Sequence, residues 1–540
     1  MTELGNHIGR YFVFALSLLL VIAFAVLAVV LWPPAWAFAL VFAVLVLVGV
    51  GDLIQKAHSI QRNYPVIGHI RWLVEAIRPE IRQYLMESDE DAAPFSRDQR
   101  SIVYQRAKGE MGEHPFGTLL DVYRDGYEFV AHSAMPVEPA DPKTFRINIG
   151  GPQCAKPYSG SVFNISAMSF GSLSANAIRA LNAGAKQGGF SHDTGEGSIS
   201  AYHRQEGGDL VWEVASGYFG CRTADGHFDP DKFAAQATTE QVRMIEIKMS
   251  QGAKPGHGGV LPAAKVTQEI AETRGVPMGQ DCVSPARHSA FSTPREMMAF
   301  VARLRELSGG KPVGFKLCIG HPWEFMAIVK AMLETGILVD FVVVDGAEGG
   351  TGAAPTEFSD HIGLPMREGL LFVHNTLVGA GLRDKIRIGV AGKIVTAFDI
   401  ASVLAIGADW ANAARGFMFA IGCVQSVSCN TNRCPTGVAT QDKLRQAALV
   451  VPDKAERVHN FHRLTLKALS GMLAAAGLEH PDDLKPYHLV RRVSPTEIRQ
   501  FSELHTFLQP DELLGEDCKD GVYAGNWRRA SADSFAPADE

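Results

Sequence analysis

Residues 312–352 decide the fold. They read P-V-G-F-K-L-C-I (312–319), then a helical pattern over Trp323–Thr335, then D-F-V-V-V-D-G-A-E-G-G-T-G (340–352). The first and last pieces are short apolar runs that favour β-strands, and the last run ends in a glycine-rich turn. A strand, a helix and a second strand in this order predict a parallel βαβ unit.

The same alternation continues on both sides of this unit. Eight βα units in about 270 residues predict a (β/α)8 TIM barrel, which is an α/β fold. A doubly wound sheet is the alternative, but no strand is followed by the Gly-x-Gly-x-x-Gly fingerprint of dinucleotide-binding proteins. The predicted strands begin near Phe163, Gly189, Arg243, Met278, Pro312, Asp340, Ile386 and Asp409. The predicted helices include Ser174–Gln187, Pro294–Leu307, Trp323–Thr335, Arg367–Leu382, Thr396–Ile406 and a longer one from Pro452 to about Ala476.

Length and composition exclude several classes of protein. The 540 residues fit one large barrel with additions, and a hydrophobic share of 46% excludes a disordered chain. The net charge of -7 argues against a nucleic-acid-binding protein that works by neutralising phosphates. Eight cysteines are too few for a disulfide scaffold.

An apolar N-terminal region explains why the mean hydropathy is as high as +0.03. Tyr11–Trp32 is long enough to cross a ~30 Å hydrocarbon core, and Ala35–Gly51 is a second uncharged run at the lower length limit. Pro33 and Pro34 separate the two runs. The pattern predicts a two-helix transmembrane hairpin. A cleaved signal peptide and a single span followed by an interfacial helix are the alternatives.

The basic residues predict how this hairpin is oriented. The connector between the runs has none, whereas Arg10 precedes the first run and Lys56, Arg62 and Arg71 follow the second. Both ends are therefore expected on the cytoplasmic side of the inner membrane, together with the barrel. In that reducing compartment cysteines are candidates for metal sites rather than disulfides.

The predicted organisation has four parts. The lead-in contains an amphipathic helix over Ile70–Met86 and an acidic loop over Glu87–Pro94, and the chain ends in a solvated tail over Arg528–Glu540. The parts are a transmembrane hairpin (1–55), a juxtamembrane helical lead-in (56–145), the barrel (146–475) and a C-terminal extension (476–540).

Three of the cysteines stand close together. Cys423, Cys429 and Cys434 have the spacing C-x5-C-x4-C and are followed by Pro435. Iron–sulfur clusters need thiolates that converge from a compact loop, often with a proline after the last one. Three local cysteines suit a three-iron cluster, or a four-iron cluster with a distant ligand. Zinc would require shorter spacings and a fourth ligand, and three unconnected core cysteines are the remaining alternative.

The segment Cys423–Asp442 resembles the iron–sulfur loop of the glutamate synthase large subunit. Several other stretches match the synthase domain of that family in the correct order, so that the resemblance covers roughly residues 145–475. They are N-I-S-A-M-S-F-G-S-L-S (164–174), T-G-E-G (194–197), K-M-S-Q-G-A-K-P-G-H-G-G-V-L-P (248–262), D-G-A-E-G-G-T-G-A-A-P (345–355) and His361–Thr376. The sequence is most similar to the short, FMN-binding branch of the glutamate synthase family.

The resemblance implies a function and two cofactors. It implies an FMN-binding barrel with a [3Fe-4S] cluster, held by Cys423, Cys429 and Cys434, that converts 2-oxoglutarate through 2-iminoglutarate to L-glutamate. Members of the short branch lack the amidotransferase domain, so ammonia is expected to come from solution or from a separate partner. Because no dinucleotide fingerprint is found, an electron-donor protein would supply the electrons.

The resemblance also implies where FMN binds. A barrel commonly binds phosphate after its seventh and eighth strands, and the glycines after the sixth permit close approach to a planar ring. Lys316 lies in an apolar strand and needs an anion there. We expect it to stabilise the reduced flavin, with a structural salt bridge as the alternative. The candidate cofactor-binding residues are Ser169, Lys316, Asp345, Gly346, Gly349, Gly350, Gly392, Lys393 and Gly416.

Three charged residues match the substrate ligands of the family. Lys254 and Arg274 would clamp the keto-acid carboxylates, and Glu196 would hold ammonia or transfer protons. The alternatives are surface charge for Arg274 and a loop or capping role for Glu196. One residue departs from the longer members of the family, which read G-G-Q-L-P where this chain has G-G-V-L-P, with Val260 in place of the glutamine.

Three functions are therefore compared. The first is glutamate synthesis. The second is a membrane-anchored oxidoreductase with the same cofactors that acts on a different keto or amino acid, which Val260 favours. The third is a non-catalytic barrel with a binding or regulatory role, which would have no chemical need for a cysteine cluster.

Overall fold

The computed structural model describes residues 2–55, 58–86, 93–110, 112–113, 115–515 and 518–538. Most of the predicted acidic loop at 87–94 lies outside these residues, as do residues 56–57 at the predicted start of the lead-in. The chain forms two compact units, Met1–Pro94 and Phe95–Glu540.

The first unit begins with two long apolar helices, Thr2–Val30 and Ala35–Ile54. The segments Arg10–Val30 and Ala35–Ile54 are long and apolar enough to cross a membrane, and only 11% and 17% of their most apolar windows are buried, unlike the core helices of a soluble protein. Phe24 stacks on Phe38 and Phe42 and joins the two helices. Ser59–Asn63, Gly68–Ile81 and a π-helical turn, Arg82–Met86, complete the unit.

The second unit is built on a closed barrel of eight parallel strands. Each strand pairs with the next along the chain, and the last pairs with the first, so the prediction of a (β/α)8 barrel is confirmed. The strands are β1 (Phe163–Ile165), β2 (His192–Asp193), β3 (Leu210–Val214), β4 (Val242–Lys248), β5 (Val313–Leu317), β6 (Phe341–Asp345), β7 (Arg387–Ala391) and β8 (Trp410–Ala413).

Two of the strand predictions differ from the structure. The strand predicted near Met278 is wrong: only Cys282–Val283 is extended there, and it pairs with Val260–Leu261 outside the barrel. Pro277 and the positive φ of +69° at Gly279 interrupt that stretch. The strand β3 was not predicted, and it restores the count to eight.

Helices surround the barrel, and sequence-encoded caps fix several of their ends. Thr293 and Glu296 form a capping box at one start, and Gly189 ends another helix with a left-handed φ of +65°. The principal helices are Ala175–Gly188, Ala201–Glu206, Pro230–Ala237, Gln268–Arg274, Pro294–Leu307, Pro322–Thr335, Thr356–His361, Met366–Gly379, Ala397–Ala405, Arg415–Ala420 and Val451–Ala475.

The remaining elements lie outside the barrel. They are the helices Arg97–Ala107, Lys443–Ala447, Phe501–Leu504 and Gly521–Arg529, the antiparallel pair Arg146–Ile149 and Tyr158–Ser161, and a three-stranded sheet of Glu128–Val130, Leu489–Ser494 and Glu497–Gln500.

The C-terminal segment packs on the protein, so the prediction of a solvated tail is wrong. Ala530 and Ala532 are buried. Lys330 Nζ donates to the Ala530 carbonyl at 2.9 Å, and Trp323 Nε1 donates to the Phe535 carbonyl at 3.2 Å. These contacts fasten the segment to the Pro322–Thr335 helix.

A close contact joins two of the helices outside the strands. The helix Val451–Ala475 packs on Ala175–Gly188, and Gly184 lies at the contact. A Cβ atom built on Gly184 would lie 2.7 Å from the Ala455 carbonyl oxygen. A side chain there would therefore separate the two helices.

We expect Gly184→Ala to unfold more easily than Gly471→Ala by about 1–3 kcal/mol, because overpacking strains a close helix contact. Gly471 lies in the helix Val451–Ala475, and a Cβ there meets nothing within 4 Å. Both replacements carry the same gain in helix propensity, so their difference isolates the overlap. Thermal or denaturant unfolding of the full chain measures it, and equal stabilities would contradict the packing.

Candidate functional site

The predicted site residues lie at one end of the barrel. Apart from Lys316, which is inside β5, they follow strands at their carboxyl ends, the end at which barrel enzymes bind their ligands. Ser169 follows β1, Glu196 follows β2, Lys254 and Arg274 follow β4, Asp345 ends β6 and Gly346, Gly349 and Gly350 follow it, Gly392 and Lys393 follow β7, and Gly416 follows β8.

A carboxylate surrounded by cations forms the centre of this end. Glu196 Oε2 accepts a hydrogen bond from Lys248 Nζ at 2.9 Å. Burial opposes the ionisation of Glu196, but the positive charges of Lys248, Arg274 and Lys254 outweigh it and lower the pKa to about 2. Glu196 is therefore a carboxylate at neutral pH.

The other predicted substrate residues are buried beside Glu196. Arg274 is only 3% exposed, so it is not a surface charge; its Nη2 donates to the Phe170 carbonyl at 3.0 Å, and its guanidinium lies over the Phe219 ring. Lys254 Nζ donates to the Ala353 carbonyl at 3.0 Å, and burial lowers its pKa. The structure brings together Glu196, Lys254 and Arg274, although they come from separate motifs.

Lys248 links this centre to the barrel interior. Its Nζ lies 3.8 Å from Glu213 Oε1 in addition to its bond with Glu196. Burial disfavours the ammonium, yet the charges of Glu196 and Glu213 raise the pKa of Lys248. It is therefore a permanent cation next to the candidate substrate pocket.

Lys316 lies deeper, among the carboxylates of the barrel interior. Its Nζ contacts Glu213 Oε2 and lies 3.3 Å from Glu246 Oε1, and the three side chains are almost completely buried. Burial opposes the charge, but Glu213 and Glu246 raise the pKa of Lys316 well above its usual value. Burial also raises the pKa of Asp193, whose carboxylate lies with the other two. This arrangement matches the salt-bridge alternative for Lys316.

Sequence reasoning missed the acidic partners and Lys248. Glu213 and Glu246 each interrupt an apolar strand, and a charge in such a position indicates a buried partner. That pattern could have found these two, as it found Lys316. Asp193 ends the polar two-residue strand β2 and carries no such signal. Lys248 begins one of the motifs that match the family, but its sequence position alone suggested no role.

The ends of β6, β7 and β8 form a cradle suited to an anion. A Cβ on Gly346 would lie 2.6 Å from the Met366 amide nitrogen, which begins the Met366–Gly379 helix, and a Cβ on Gly350 would lie 2.8 Å from Arg415 Nε. Both glycines therefore allow close approach to hydrogen-bond donors. Lys393 and Arg415 supply positive charge there, and two cations suit a phosphate group.

Two further residues, Arg415 and Glu348, belong to this cradle. Arg415 Nη2 donates to the Glu348 carbonyl at 2.7 Å. The Glu348 carboxylate accepts from the Met366 amide at 3.0 Å and so covers the start of the helix. Arg415 begins the helix Arg415–Ala420 two residues after β8 ends, next to Gly416 of the predicted phosphate site.

The three cysteines lie on one tightly turning loop. Cys423, Cys429 and Cys434 are free thiols. The loop between them turns through positive φ angles at Gln425, Val427 and Asn432. The Gln425 amide donates to Cys423 Sγ at 3.5 Å, and Cys434 Sγ lies 3.5 Å from Thr436 Oγ1. A compact loop with three thiols and polar groups near two of the sulfurs suits an iron–sulfur cluster.

The cysteine loop is joined directly to the loop after β1. Lys265 Nζ donates to the Ser172 carbonyl at 2.8 Å and to the Cys429 carbonyl at 3.1 Å. Gln441 Nε2 donates to the Gly171 and Leu173 carbonyls at 3.0 and 2.9 Å. Because Arg274 binds the same loop at Phe170, the cysteines and the candidate substrate pocket share one framework.

The parallel barrel carries a charged pocket and a three-cysteine loop at its carboxyl end. These features place the protein among the barrel enzymes. The family model described as the conserved region in glutamate synthase matches residues 147–479, more than half of the chain. The chain belongs to the glutamate synthase family, a family of oxidoreductases that act on the CH–NH2 group of donors.

Relatives support this assignment over different lengths. The chain is 37% identical over 497 residues to the glutamate synthase large subunit-like protein YerD of Bacillus subtilis (strain 168), covering 84% of this chain and 94% of that protein. It is 34% identical to the archaeal-type glutamate synthase [NADPH] of Thermotoga neapolitana and to the archaeal glutamate synthase [NADPH] of Archaeoglobus fulgidus. Those two matches cover 59% of this chain and 60% of each relative.

Solved structures match the chain at low sequence identity. A mutant flavocytochrome b2 with benzoylformate matches with a TM-score of 0.43 and 12% identity, covering 83% of this chain and 97% of that one. A mutant mandelate oxidase with a monooxide FMN adduct matches with a TM-score of 0.37 and 14% identity, covering 80% of this chain and 99% of that one.

We expect Lys316→Met to lower the free energy of unfolding by about 3–5 kcal/mol, because it leaves buried carboxylates without their cation. The exposed Lys385→Met is the control and should change it by less than about 0.5 kcal/mol. Denaturant unfolding of both variants measures the difference. Unchanged stability in Lys316→Met, with altered flavin binding instead, would favour a purely cofactor-binding role.

Proposed function

We propose that this protein is a membrane-anchored glutamate synthase that reductively aminates 2-oxoglutarate, through 2-iminoglutarate, to L-glutamate. The observation that carries the proposal is the ionised Glu196 with Lys248, Lys254 and Arg274 at the carboxyl end of the barrel. Ammonia comes from solution or a separate partner, and an electron-donor protein supplies the electrons.

The charges of the pocket suit this reaction. Cationic Lys254 and Arg274 bind the two carboxylates of the keto acid, and an arginine fork matches a carboxylate well. Ammonia adds to the keto carbon, and water leaves to give the imine. Reduction then adds two electrons and a proton to the C=N bond, and a further proton gives the amino group.

The low pKa of Glu196 assigns it a particular part in this reaction. A carboxylate that stays ionised at neutral pH is a poor proton donor, but it attracts ammonium and the protonated imine by charge. Lys248, whose pKa is raised, is the ammonium group that lies against it. We therefore assign Glu196 to holding the nitrogen and Lys248 to holding a proton beside it.

The anion cradle is assigned to FMN. Gly392, Lys393, Arg415 and Gly416 would hold its phosphate, and the loop after β6 with Ser169 would face its ring. Asp345 orders that surface, because its Oδ2 accepts a hydrogen bond from the Gly252 amide at 2.9 Å. When bound, FMN supplies a hydride to the imine carbon.

The cysteine loop is assigned to a [3Fe-4S] cluster held by Cys423, Cys429 and Cys434. The support is their compact spacing, the donors to sulfur and the direct bonds from Lys265 and Gln441 to the loop after β1. When bound, such a cluster would supply single-electron transfer between the donor protein and the barrel.

The apolar helices Thr2–Val30 and Ala35–Ile54 are assigned to two membrane spans, with the barrel on the cytoplasmic side of the inner membrane. Their length, composition and exposure support the spans, and the basic residues at their outer ends support the orientation.

A different keto or amino acid is the second candidate substrate. Val260 stands where longer members of the family have a glutamine, and it directly follows Gly259, which contacts Glu196. A valine side chain cannot donate the hydrogen bond to a carboxylate that a glutamine side chain can donate.

Anaerobic purification should yield protein with flavin absorption and the EPR signal of an oxidised three-iron cluster. We expect Cys429→Ser to lose that EPR signal, because serine is a poor ligand for iron in such clusters. Cys518→Ser, in the C-terminal segment, is the control and should keep it. A normal cluster signal in Cys429→Ser would refute the ligand assignment.

Purified enzyme with 2-oxoglutarate, ammonium and reduced viologen should form L-glutamate, measured by mass spectrometry with 15N-ammonium. We expect Arg274→Met to raise the KM for 2-oxoglutarate by about 10-fold or more, because one carboxylate loses its charged partner. Absence of glutamate despite intact flavin and cluster spectra would favour the second candidate, and keto acids with less polar side chains would then be compared.

A further inference from the structure

The helix Gly68–Ile81 and the turn Arg82–Met86 carry an apolar face that no other described residue covers. Ile70, Leu73, Val74, Ile77 and Leu85 are all between 43% and 80% exposed. At 100° per residue Ile70, Leu73, Val74 and Ile77 fall within about 60° of one line along the helix Gly68–Ile81, and Leu85 lies in the π-helical turn Arg82–Met86 that follows. Leaving such a face in water would cost about 25 cal/mol per Å².

Basic side chains border one side of that face. They are Arg71, Arg78 and Arg82, accompanied by Glu75, whose carboxylate lies 3.6 Å from Arg78 Nη1. Glu80 lies near the opposite border of the face. Trp72 is also exposed, and its ring meets the His58 ring at 5.3 Å. Apolar residues bordered by arginines, with a tryptophan, are typical of a helix that lies in a membrane surface.

A polar clamp fixes this helix to the end of the second apolar helix. Asp52, in the last turn of Ala35–Ile54, is buried and accepts hydrogen bonds from the Val66 amide at 2.9 Å and from the His69 ring at 2.8 Å. His69 is the second residue of the Gly68–Ile81 helix. The clamp therefore holds the start of this helix at the depth where the second span ends.

We propose that the segment Gly68–Met86 lies in the plane of the bilayer, with its apolar face in the acyl chains and its arginines at the phosphates of anionic lipids. The proposal rests on the two spans proposed above. At 14 residues, the regular part of the segment is too short and too charged to cross the membrane. The occupant of its apolar face is therefore lipid of the leaflet in which the second span ends.

Photo-crosslinking of the full chain in nanodiscs with phosphatidylglycerol and phosphatidylcholine tests the proposal. A benzophenone amino acid replaces Leu73 or Ile77 on the apolar face, Glu75 on the polar face, or Leu40, which is 68% exposed in the second apolar helix. Mass spectrometry then identifies the adducts. We expect lipid adducts at Leu73 and Ile77 at least about fivefold above those at Glu75, and comparable with Leu40.

The result at Leu40 separates the two proposals. Lipid adducts at Leu40 but not at Leu73 and Ile77 would overturn the in-plane helix and leave the spans intact. Protein adducts at Leu73 and Ile77, with lipid adducts at Leu40, would have the same meaning. Absence of lipid adducts at all four positions would overturn the spans and the in-plane helix together. Neither outcome bears on glutamate formation, which is measured separately.

The contribution of the arginines has its own measurement. At Ile77 we expect the phosphatidylglycerol share of the adducts to exceed its mole fraction in the nanodisc at least about twofold. The triple variant Arg71→Gln, Arg78→Gln, Arg82→Gln should bring that share down to the mole fraction while lipid adducts persist. An unchanged share would refute the charge contact.

Discussion

A buried ammonium group has to be surrounded by carboxylates, and this requirement organises the barrel interior. Lys316 of β5 is held by Glu213 of β3 and Glu246 of β4, so one lysine ties together side chains of three neighbouring strands. Glu213 also faces Lys248, which in turn holds Glu196. Positive and negative charges therefore alternate from the interior to the mouth of the barrel, and the position of the candidate nitrogen-binding carboxylate depends on a pairing that begins in the core.

The barrel was predictable because its signals are local. Each short apolar run followed by glycine and a helical pattern identifies a βα unit by itself, and eight such units determine the closed sheet. The prediction missed β3, in which Glu213 interrupts the apolar run Leu210–Val214. The false strand near Met278 arose from apolar residues that Pro277 and Gly279 keep from forming a continuous extended run. The C-terminal segment was misjudged because its composition is polar, whereas its burial depends on Trp323 and Lys330, which lie far earlier in the chain.

In the candidate site, too, the features carried by local sequence were predictable and those that depend on contacts between distant residues were not. The cysteine spacing and the motifs around Glu196, Lys254 and Arg274 are contiguous in sequence, and the fold places the last three together. The acidic partners of Lys316 and the covering of the helix start by Glu348 depend on contacts between distant strands and loops, and only the structure supplies those. The sequence alone indicates that a charge inside an apolar strand requires a partner. It does not indicate which residue is that partner.

The contact between Gly259 and Glu196 restricts how the specificity of this pocket can be altered. A Cβ atom at 259 would overlap the Glu196 carboxylate, so every replacement there disturbs the charged centre. Directed evolution towards new keto acids would therefore retain glycine at 259 and change other residues around Glu196. Natural divergence of substrate range within this branch would follow the same path.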